Sequence, residues 1–389
     1  MKFCSKCQLN YDDKFTFCKK CGGKLEPYQQ NYQDNSEVQK VKDSNVNKNL
    51  SFFSFLHKKT VILFSLVLVV LGVAYFGFRD ILYDKGIIEP LTAQDQWEYA
   101  RKLCLDEKTY KDALKWYRKA AEKGHASAQH DLSEMYYEGK GTLKNYVEAF
   151  KWMKKSAESD PNKLEALMHL GYYYANGIGV DKNDEEAFKL FKIASDKGSG
   201  GAKYNLAKMY HKGRGVEKNY AEAFKLYKEL ADDGRAEAEH MLGEMYYYGE
   251  GVEKNYGEAL KWFKKAADKD STYAQGFLGF MYLNGKGVEK NYDEALKWYK
   301  KAADNGDTDS QYNLARMYFL GEGIRVNYEE GFKWCKKAAD SNDSRAQFII
   351  GRAYMEGMGV EKNHSEAMKY IKLAANNGNK DAIDYLKNQ

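Results

Sequence analysis

The sequence predicts an all-α solenoid of about eight repeats of 36 residues, on the basis of three observations. Pairs of glycines recur every 36 residues, with one interval of 38. Tryptophans and tyrosines keep the same phase, and the 389 residues include only three prolines, which favours long helices. The glycine pairs are Gly139/Gly141, Gly177/Gly179, Gly213/Gly215, Gly249/Gly251, Gly285/Gly287, Gly321/Gly323 and Gly357/Gly359. Such a period is typical of an array in which each unit packs against the next.

Each repeat carries start and stop signals for two helices, which we name helix A and helix B. Asn-x-x-Glu capping boxes predict the start of helix A: the Asn side chain accepts a hydrogen bond from the N3 amide, and the Glu reaches back. These boxes begin at Asn145, Asn219, Asn255 and Asn291. Glycines suited to a left-handed C-cap end helix A at Gly124, Gly198, Gly234, Gly306 and Gly378. Helix B then runs to the next glycine pair, as from Ala238 to Tyr248.

Small and apolar residues in constant phase predict where these helices pack. Alanine recurs at one position of helix A and glycine at one position of helix B, where they allow two backbones to approach. A leucine ladder is expected to fill the core beside them: Leu132, Leu170, Leu206, Leu242, Leu278 and Leu314. Cys335 occupies a position held in other repeats by Tyr117, Phe263 and Tyr299, so we expect a buried apolar side chain there.

The repeated unit closely resembles the Sel-1-like repeat family, a branch of the tetratricopeptide-like solenoids. Its pattern A-x-x-x-L-G-x-M-Y-x-x-G-x-G-V-x-K-N-Y-x-E-A-x-K-W can be read in Ala274 to Ala303, and piecewise from Leu242 to Ala267. The resemblance implies a right-handed α/α superhelix over residues 109–389 that acts as a protein-binding scaffold, with a capping helix in residues 91–108. Some secreted relatives have been linked to β-lactams or cell-wall fragments, but they carry a cysteine pair in each repeat that this chain lacks.

Four of the six cysteines lie at the start of the chain and predict a structural zinc site. Cys4, Cys7, Cys18 and Cys21 form C-x2-C-x10-C-x2-C, and two such knuckles complete a closed tetrahedral shell of sulfur ligands. Because about 25 residues cannot build a sufficient apolar core, metal binding would supply the folding free energy. Disulfides or an iron centre are the alternatives. The segment resembles the short zinc-ribbon modules found at the N-termini of many prokaryotic membrane proteins, which implies a zinc ribbon over residues 1–25 with Zn²⁺ as its cofactor.

A polar segment and an apolar segment separate the cysteines from the repeats. Residues 26–50 are polar and lack apolar periodicity, and we interpret residues 26–57 as a flexible polar tether. Residues 58–79 include nineteen residues, Thr60 to Phe78, without a charge or a proline, which at helical rise cover roughly 28 Å, about one bilayer core. The alternative is a buried core helix. We predict a transmembrane signal anchor, because no cleavage site follows the segment.

The charges that flank the apolar segment indicate its orientation. Lys42, Lys48, Lys58 and Lys59 precede the uncharged stretch from Thr60 to Phe78, whereas only Arg79 and Lys85 follow it within twenty residues. The positive-inside rule then predicts a cell-membrane protein with a cytoplasmic N-terminus and extracytoplasmic repeats.

The overall charge argues against a dedicated nucleic-acid binder, since 61 basic and 56 acidic residues leave a formal +5. Lysines nevertheless hold one position of helix A in all eight units. They could form a continuous basic surface, or rail, for an anionic polymer. Acidic residues three positions earlier favour the alternative, a self-paired face: a solvent-exposed surface on which each lysine pairs with an acid of its own helix. The lysines are Lys115, Lys151, Lys189, Lys225, Lys261, Lys297, Lys333 and Lys369.

No residue pattern predicts catalysis. The histidines never form an i,i+4 pair on one helix, and no metalloprotease, nucleophile-elbow or P-loop motif occurs. We therefore expect a non-enzymatic scaffold, anchored in the membrane, that binds a protein or cell-envelope partner on the concave face of the solenoid; no small-molecule substrate is evident. The alternatives are a transmembrane sensor that couples the solenoid to the zinc ribbon, and an envelope hydrolase acting on peptidoglycan or β-lactams.

Overall fold

The computed structural model describes residues 2–4, 9–11, 26–27 and 92–388, which belong to two compact units, Met1–Arg79 and Asp80–Gln389. In the first unit three short strands form an antiparallel sheet in the order β2-β1-β3. The strands are β1 (Lys2–Cys4), β2 (Leu9–Tyr11) and β3 (Glu26–Pro27). Phe3 pairs with Asn10 on one side and with Glu26 on the other, so the sheet extends past residue 25, where we placed the end of the module.

The second unit is an array of helices whose lengths and boundaries follow the 36-residue period, which confirms the predicted α-solenoid. In residues 92–388 the structure has seventeen α-helices and one short 3-10 helix, Glu107–Thr109. The α-helices are α1 (Ala93–Leu103), α2 (Tyr110–Glu122), α3 (Ala126–Glu138), α4 (Tyr146–Ser159), α5 (Leu164–Asn176), α6 (Asp184–Asp196), α7 (Gly200–Lys212), α8 (Tyr220–Asp232), α9 (Ala236–Tyr248), α10 (Tyr256–Ala267), α11 (Thr272–Asn284), α12 (Tyr292–Asp304), α13 (Thr308–Leu320), α14 (Tyr328–Asp340), α15 (Ser344–Glu356), α16 (His364–Asn376) and α17 (Lys380–Lys387). From α2 onward, even numbers are A helices and odd numbers are B helices.

The asparagine caps of the A helices are confirmed, but half of the predicted capping box is wrong. In α12 the side chain of Asn291 accepts from the amide of Glu294 at 3.0 Å. The Glu294 carboxylate does not reach back to the Asn291 amide, because that amide already donates to the carbonyl of Tyr282 at the end of the preceding B helix. Glu294 instead pairs with Lys297 at 3.1 Å. The cap therefore ties each A helix to the B helix before it.

The glycine pairs form the turn from helix B to helix A, and each member has its own reason. The first glycine is a left-handed C-cap, as at Gly285 with φ +63°. The second lies against the backbone at the start of the preceding A helix: a Cβ on Gly287 would lie 2.5 Å from the carbonyl of Tyr256. At the other turn, from helix A to helix B, Asp270 and Asn342 take the left-handed conformation that glycine takes in other repeats.

A continuous row of side chains between the two layers of helices forms the core. All six leucines of the ladder are buried, and Cys335 is fully buried as predicted. The small residue of helix B is required by contact: a Cβ on Gly279 would lie 2.7 Å from the ring of Tyr299. Among the B helices, α9 also packs against α11 and α11 against α13. Since helices on the inside of a curved array lie closer together, the B helices line its concave side.

The described residues include no helix long and apolar enough to span a bilayer. The predicted anchor, residues 58–79, and the predicted tether lie outside the described residues, as do Cys7, Cys18 and Cys21 of the predicted zinc site. Cys4 is the last residue of β1.

Candidate protein-interaction groove

Six of the eight lysines in the row along the A helices are paired with acidic side chains of the same helices. Lys189 lies 2.6 Å from Glu186, and Lys261 lies 2.6 Å from Glu258. The same i,i+3 pair occurs at Lys151, Lys297, Lys333 and Lys369. These exposed pairs contribute little to stability, but they neutralise the row. The structure therefore favours the self-paired face over a rail for an anionic polymer.

Aromatic side chains concentrate on the opposite layer, where α9, α11 and α13 lie side by side. There a groove of about 440 Å³ is lined by Tyr247, Tyr248, Tyr273, Phe277 and Phe280. Tyr273 is 70% exposed and Tyr248 is 55% exposed. Large rings that remain in water at such a place are typical of a surface that binds another molecule.

The wall of the groove is held in place by the core. The ring of Phe277 stacks on that of the fully buried Phe263, with centroids 4.7 Å apart and planes 12° apart. Tyr247 makes edge contacts with Phe277 and Phe280 at 6.1 and 6.3 Å. Because these rings are fixed before any partner arrives, little side-chain entropy is lost on binding.

The groove exists because one repeat lacks a side chain that the others have. Gly276 on α11 occupies a position at which the other B helices from α3 to α15 carry a large side chain. Those residues are His130, Met168, Tyr204, His240, Tyr312 and Phe348. At Gly276 the volume of that side chain is open to solvent and forms part of the groove.

A second departure from the repeat faces this glycine. Ser310 on α13 replaces the alanine found at the same position in every other B helix from α3 to α17, namely Ala128, Ala166, Ala202, Ala238, Ala274, Ala346 and Ala382. Its Oγ lies 3.0 Å from where a Cβ on Gly276 would be, and it has no hydrogen-bond partner among the described residues. The hydroxyl of Tyr299, another lining residue, is likewise buried without a described partner. Burial raises the pKa of Tyr299, so the hydroxyl keeps its proton at neutral pH.

One end of the groove is acidic. Asp307 caps α13 by accepting from the amide of Ser310 at 2.7 Å, and it lines the groove together with Asp309. Asp309 accepts from Arg345 at 2.5 Å, but Arg345 is shared with Asp343, so one cation serves two carboxylates. None of the described residues that line the groove is basic. The groove thus joins aromatic walls to two carboxylates and to two hydroxyls, of Ser310 and Tyr299, that have no described hydrogen-bond partner.

Comparison with known proteins assigns this architecture to a family. The profile of the Sel1 repeat matches eight segments, at residues 108–125, 126–161, 164–199, 201–234, 236–271, 272–307, 308–343 and 344–379. The chain belongs to the Sel1 repeat family. Each full Sel1 unit begins with helix B and ends with helix A, half a unit out of phase with the helix order in which we described the repeats.

Two solved structures illustrate the likeness of this Sel1 repeat protein to others. A Sel1 repeat protein from Oxalobacter formigenes is 26% identical, with a TM-score of 0.61, over 76% of this chain and 86% of its own. A protective antigen of uropathogenic Escherichia coli with an SLR fold is 28% identical, with a TM-score of 0.59, over 75% of this chain. The match spans 62% of the length of that antigen. A search of curated protein sequences found no match.

The repeat pattern predicted partner binding on the concave face but did not identify the residues of the groove. Gly276 and Ser310 are unremarkable when each is considered alone. The signal that could have found them is the repeat itself, because a comparison in phase marks both as exceptions. Their proximity depends on the packing of α11 against α13, which the sequence does not state.

Proposed function

We propose that this Sel1 repeat protein is a membrane-anchored scaffold whose groove binds a segment of a protein partner. The observation that carries the proposal is the missing side chain at Gly276, which leaves a preformed aromatic groove on the concave face. Its volume of about 440 Å³ lies within the range of about 300–1,000 Å³ that is typical of ligand-binding pockets.

The chemistry of the lining favours a lysine or an arginine as the anchor of that segment. The aliphatic stem of such a side chain packs against aromatic rings, and its charge is attracted to their faces. Its N–H groups would donate to Ser310 Oγ, to Tyr299 Oη and to the carboxylate of Asp307, which together supply acceptors at one end of the groove. An acidic segment would instead meet two carboxylates without a basic lining residue.

Selection of peptides from a random displayed library tests both parts of the proposal. We expect the full chain, purified in detergent, to enrich sequences that carry a lysine or an arginine next to apolar residues. Sequences without a basic residue, or no enrichment above an unrelated helical protein, would contradict the proposed anchor.

A variant that restores the repeat pattern supplies the matched control for this selection. Gly276→Tyr together with Ser310→Ala reproduces the pair Tyr312 and Ala346 of the next repeat, so the helices should pack as they do there. The added ring fills the groove. We expect the selected peptides to lose binding to this variant while its far-ultraviolet circular dichroism is unchanged.

We also propose that the four N-terminal cysteines bind one structural Zn²⁺. The support is their spacing, which suits a closed sulfur shell. Simultaneous replacement of Cys4, Cys7, Cys18 and Cys21 by serine should remove one equivalent of zinc that resists a weak chelator. Equal zinc content in the wild type and this variant would refute the site.

The membrane anchor and its orientation are a further part of the proposal, supported by the apolar segment 58–79 and its flanking lysines. Digestion of intact spheroplasts with added protease should remove the repeats and spare the N-terminus. Protection of both ends until lysis would place the repeats inside the cell.

A further inference from the structure

Two histidines and a glutamate meet on the concave face near the N-terminal end of the array, on α3 and α5. His130 and Glu134 lie one turn apart on α3, and His169 lies on α5, in the next repeat. His130 Nε2 is 3.1 Å from His169 Nδ1, and Glu134 Oε1 is 3.6 Å from the same nitrogen. The three ligand atoms all lie within 4.8 Å of one another, and the three residues are half-buried.

These separations suit one metal ion. Bonds of 2.0–2.1 Å in a tetrahedral shell place neighbouring ligand atoms about 3.3 Å apart. The distances from His169 Nδ1 to His130 Nε2 and to Glu134 Oε1, 3.1 and 3.6 Å, lie on either side of that value.

The neighbours of His130 prepare its Nε2 to act as a ligand. Its Nδ1 lies 3.2 Å from a carboxylate oxygen of Asp131, which can only accept, and this favours the tautomer with the proton on Nδ1 and the lone pair on Nε2. Asp131 is in turn fixed by the indole N–H of Trp97, which donates to its other oxygen at 2.7 Å. A carboxylate behind a histidine is the usual outer shell of a metal-bound imidazole.

A second repeat holds the same pair without the third ligand. His240 and Glu244 lie one turn apart on α9, with Nε2 and Oε1 3.5 Å apart. The residue on α11 in the position of His169 is Phe277. The chain thus contains its own incomplete copy of the cluster, which differs in one aromatic side chain.

We infer that His130, Glu134 and His169 bind one divalent transition-metal ion of the zinc type, which joins the B helices of two successive repeats. Two imidazoles and a carboxylate suit Zn²⁺ and Co²⁺ and are poor ligands for Mg²⁺ and Ca²⁺. Three protein ligands leave a fourth position open to water or to a group from outside the chain. Because the ion joins α3 to α5, its binding should stabilise these repeats against unfolding.

The test is a metal titration of the full chain in detergent, with Co²⁺ followed by its visible absorption and Zn²⁺ by bound equivalents. The predicted cysteine site gives sulfur-to-cobalt charge-transfer bands, which a site of nitrogen and oxygen ligands lacks, so the two sites are distinguishable. We expect His169→Phe to bind one equivalent less than the wild type, and Phe277→His to bind one more. Asp131→Asn should retain the site but weaken Zn²⁺ binding about 10- to 100-fold.

Thermal unfolding gives an independent readout, because Zn²⁺ should raise the melting temperature of the wild type more than that of His169→Phe. Glu134→Gln, which keeps the size of the side chain, replaces His169→Phe if the latter loses helicity. Equal metal stoichiometry and equal affinity in the wild type, His169→Phe and Glu134→Gln would overturn the inference. Tight binding of Mg²⁺ at the cluster would also overturn it.

Discussion

The buried hydroxyl of Tyr299 should destabilise the folded solenoid and, at the same time, accept a hydrogen bond from a peptide bound in the groove. Removing the hydroxyl tests both expectations. Tyr299 is 1% exposed, and its Oη has no described hydrogen-bond partner. A buried polar group left without a partner costs about 1–3 kcal/mol in desolvation. Tyr299→Phe removes that cost and keeps the ring, which packs against Gly279. We therefore expect the free energy of unfolding to rise by about 1 kcal/mol.

The matched control is Tyr227, which holds the same position two repeats earlier. It is fully buried, its hydroxyl also lacks a described partner, and it does not line the groove. Tyr227→Phe should stabilise the protein by a similar amount. Binding separates the two variants, because Tyr299→Phe should weaken a lysine- or arginine-containing peptide about fivefold, whereas Tyr227→Phe should leave its affinity unchanged.

Urea unfolding followed by circular dichroism, and titration of a labelled peptide followed by fluorescence anisotropy, provide the two readouts. A drop in the urea midpoint of Tyr299→Phe would refute the reasoning, since it would mean that the hydroxyl makes a stabilising bond. A stabilised variant with unchanged peptide affinity would remove Tyr299 from the recognition site and leave the packing argument intact.

Two further predictions concern the turns and the pH dependence of stability. Gly287→Ala should destabilise the protein by about 3 kcal/mol, because the residue has φ +70° and its new Cβ would overlap the backbone of Tyr256. Gly306→Ala should cost about 1 kcal/mol, because Gly306 has φ +89° but open space around it. Urea midpoints measure both losses, and equal midpoints would contradict the contact of Gly287 with Tyr256. The hydrogen bond from Arg214 holds the pKa of Asp184 below its usual value of 3.8, so this pair should stabilise the fold above that pH and lose its effect as the pH falls below it. Arg214 also donates to the carbonyl of Ala175 at 2.6 Å, so Arg214→Met should lower the urea midpoint more at neutral pH than in strong acid. An equal loss at both would show that the ion pair is not the cause.

The features that repeat could be predicted from the sequence, because each repeat confirms the others. The asparagine caps, the left-handed glycines and the leucine ladder follow from local rules, and the structure confirms all three. The reach of Glu294 back to its own cap could not be predicted correctly. It depends on which partner the Asn291 amide finds, and the carbonyl of Tyr282 lies in the preceding helix.

The candidate sites are formed by residues that depart from the repeat, and the sequence pattern did not reveal them. Gly276 and Ser310 matter because adjacent B helices bring them together, 34 positions apart in the chain. His130 and His169 are separated by slightly more than one repeat, so a search for histidine pairs within a helix passes over them. In both cases the information lies between repeats, where packing and not local propensity sets the distances.

The affinity of a selected lysine- or arginine-containing peptide for the full chain and for Gly276→Tyr with Ser310→Ala is the most direct test of the groove. Loss of a buried anchor typically costs about 2 kcal/mol, so we predict that the filled variant binds about 30-fold more weakly while its helicity is unchanged. Equal dissociation constants for the two proteins would show that the groove at Gly276 is not where the partner binds.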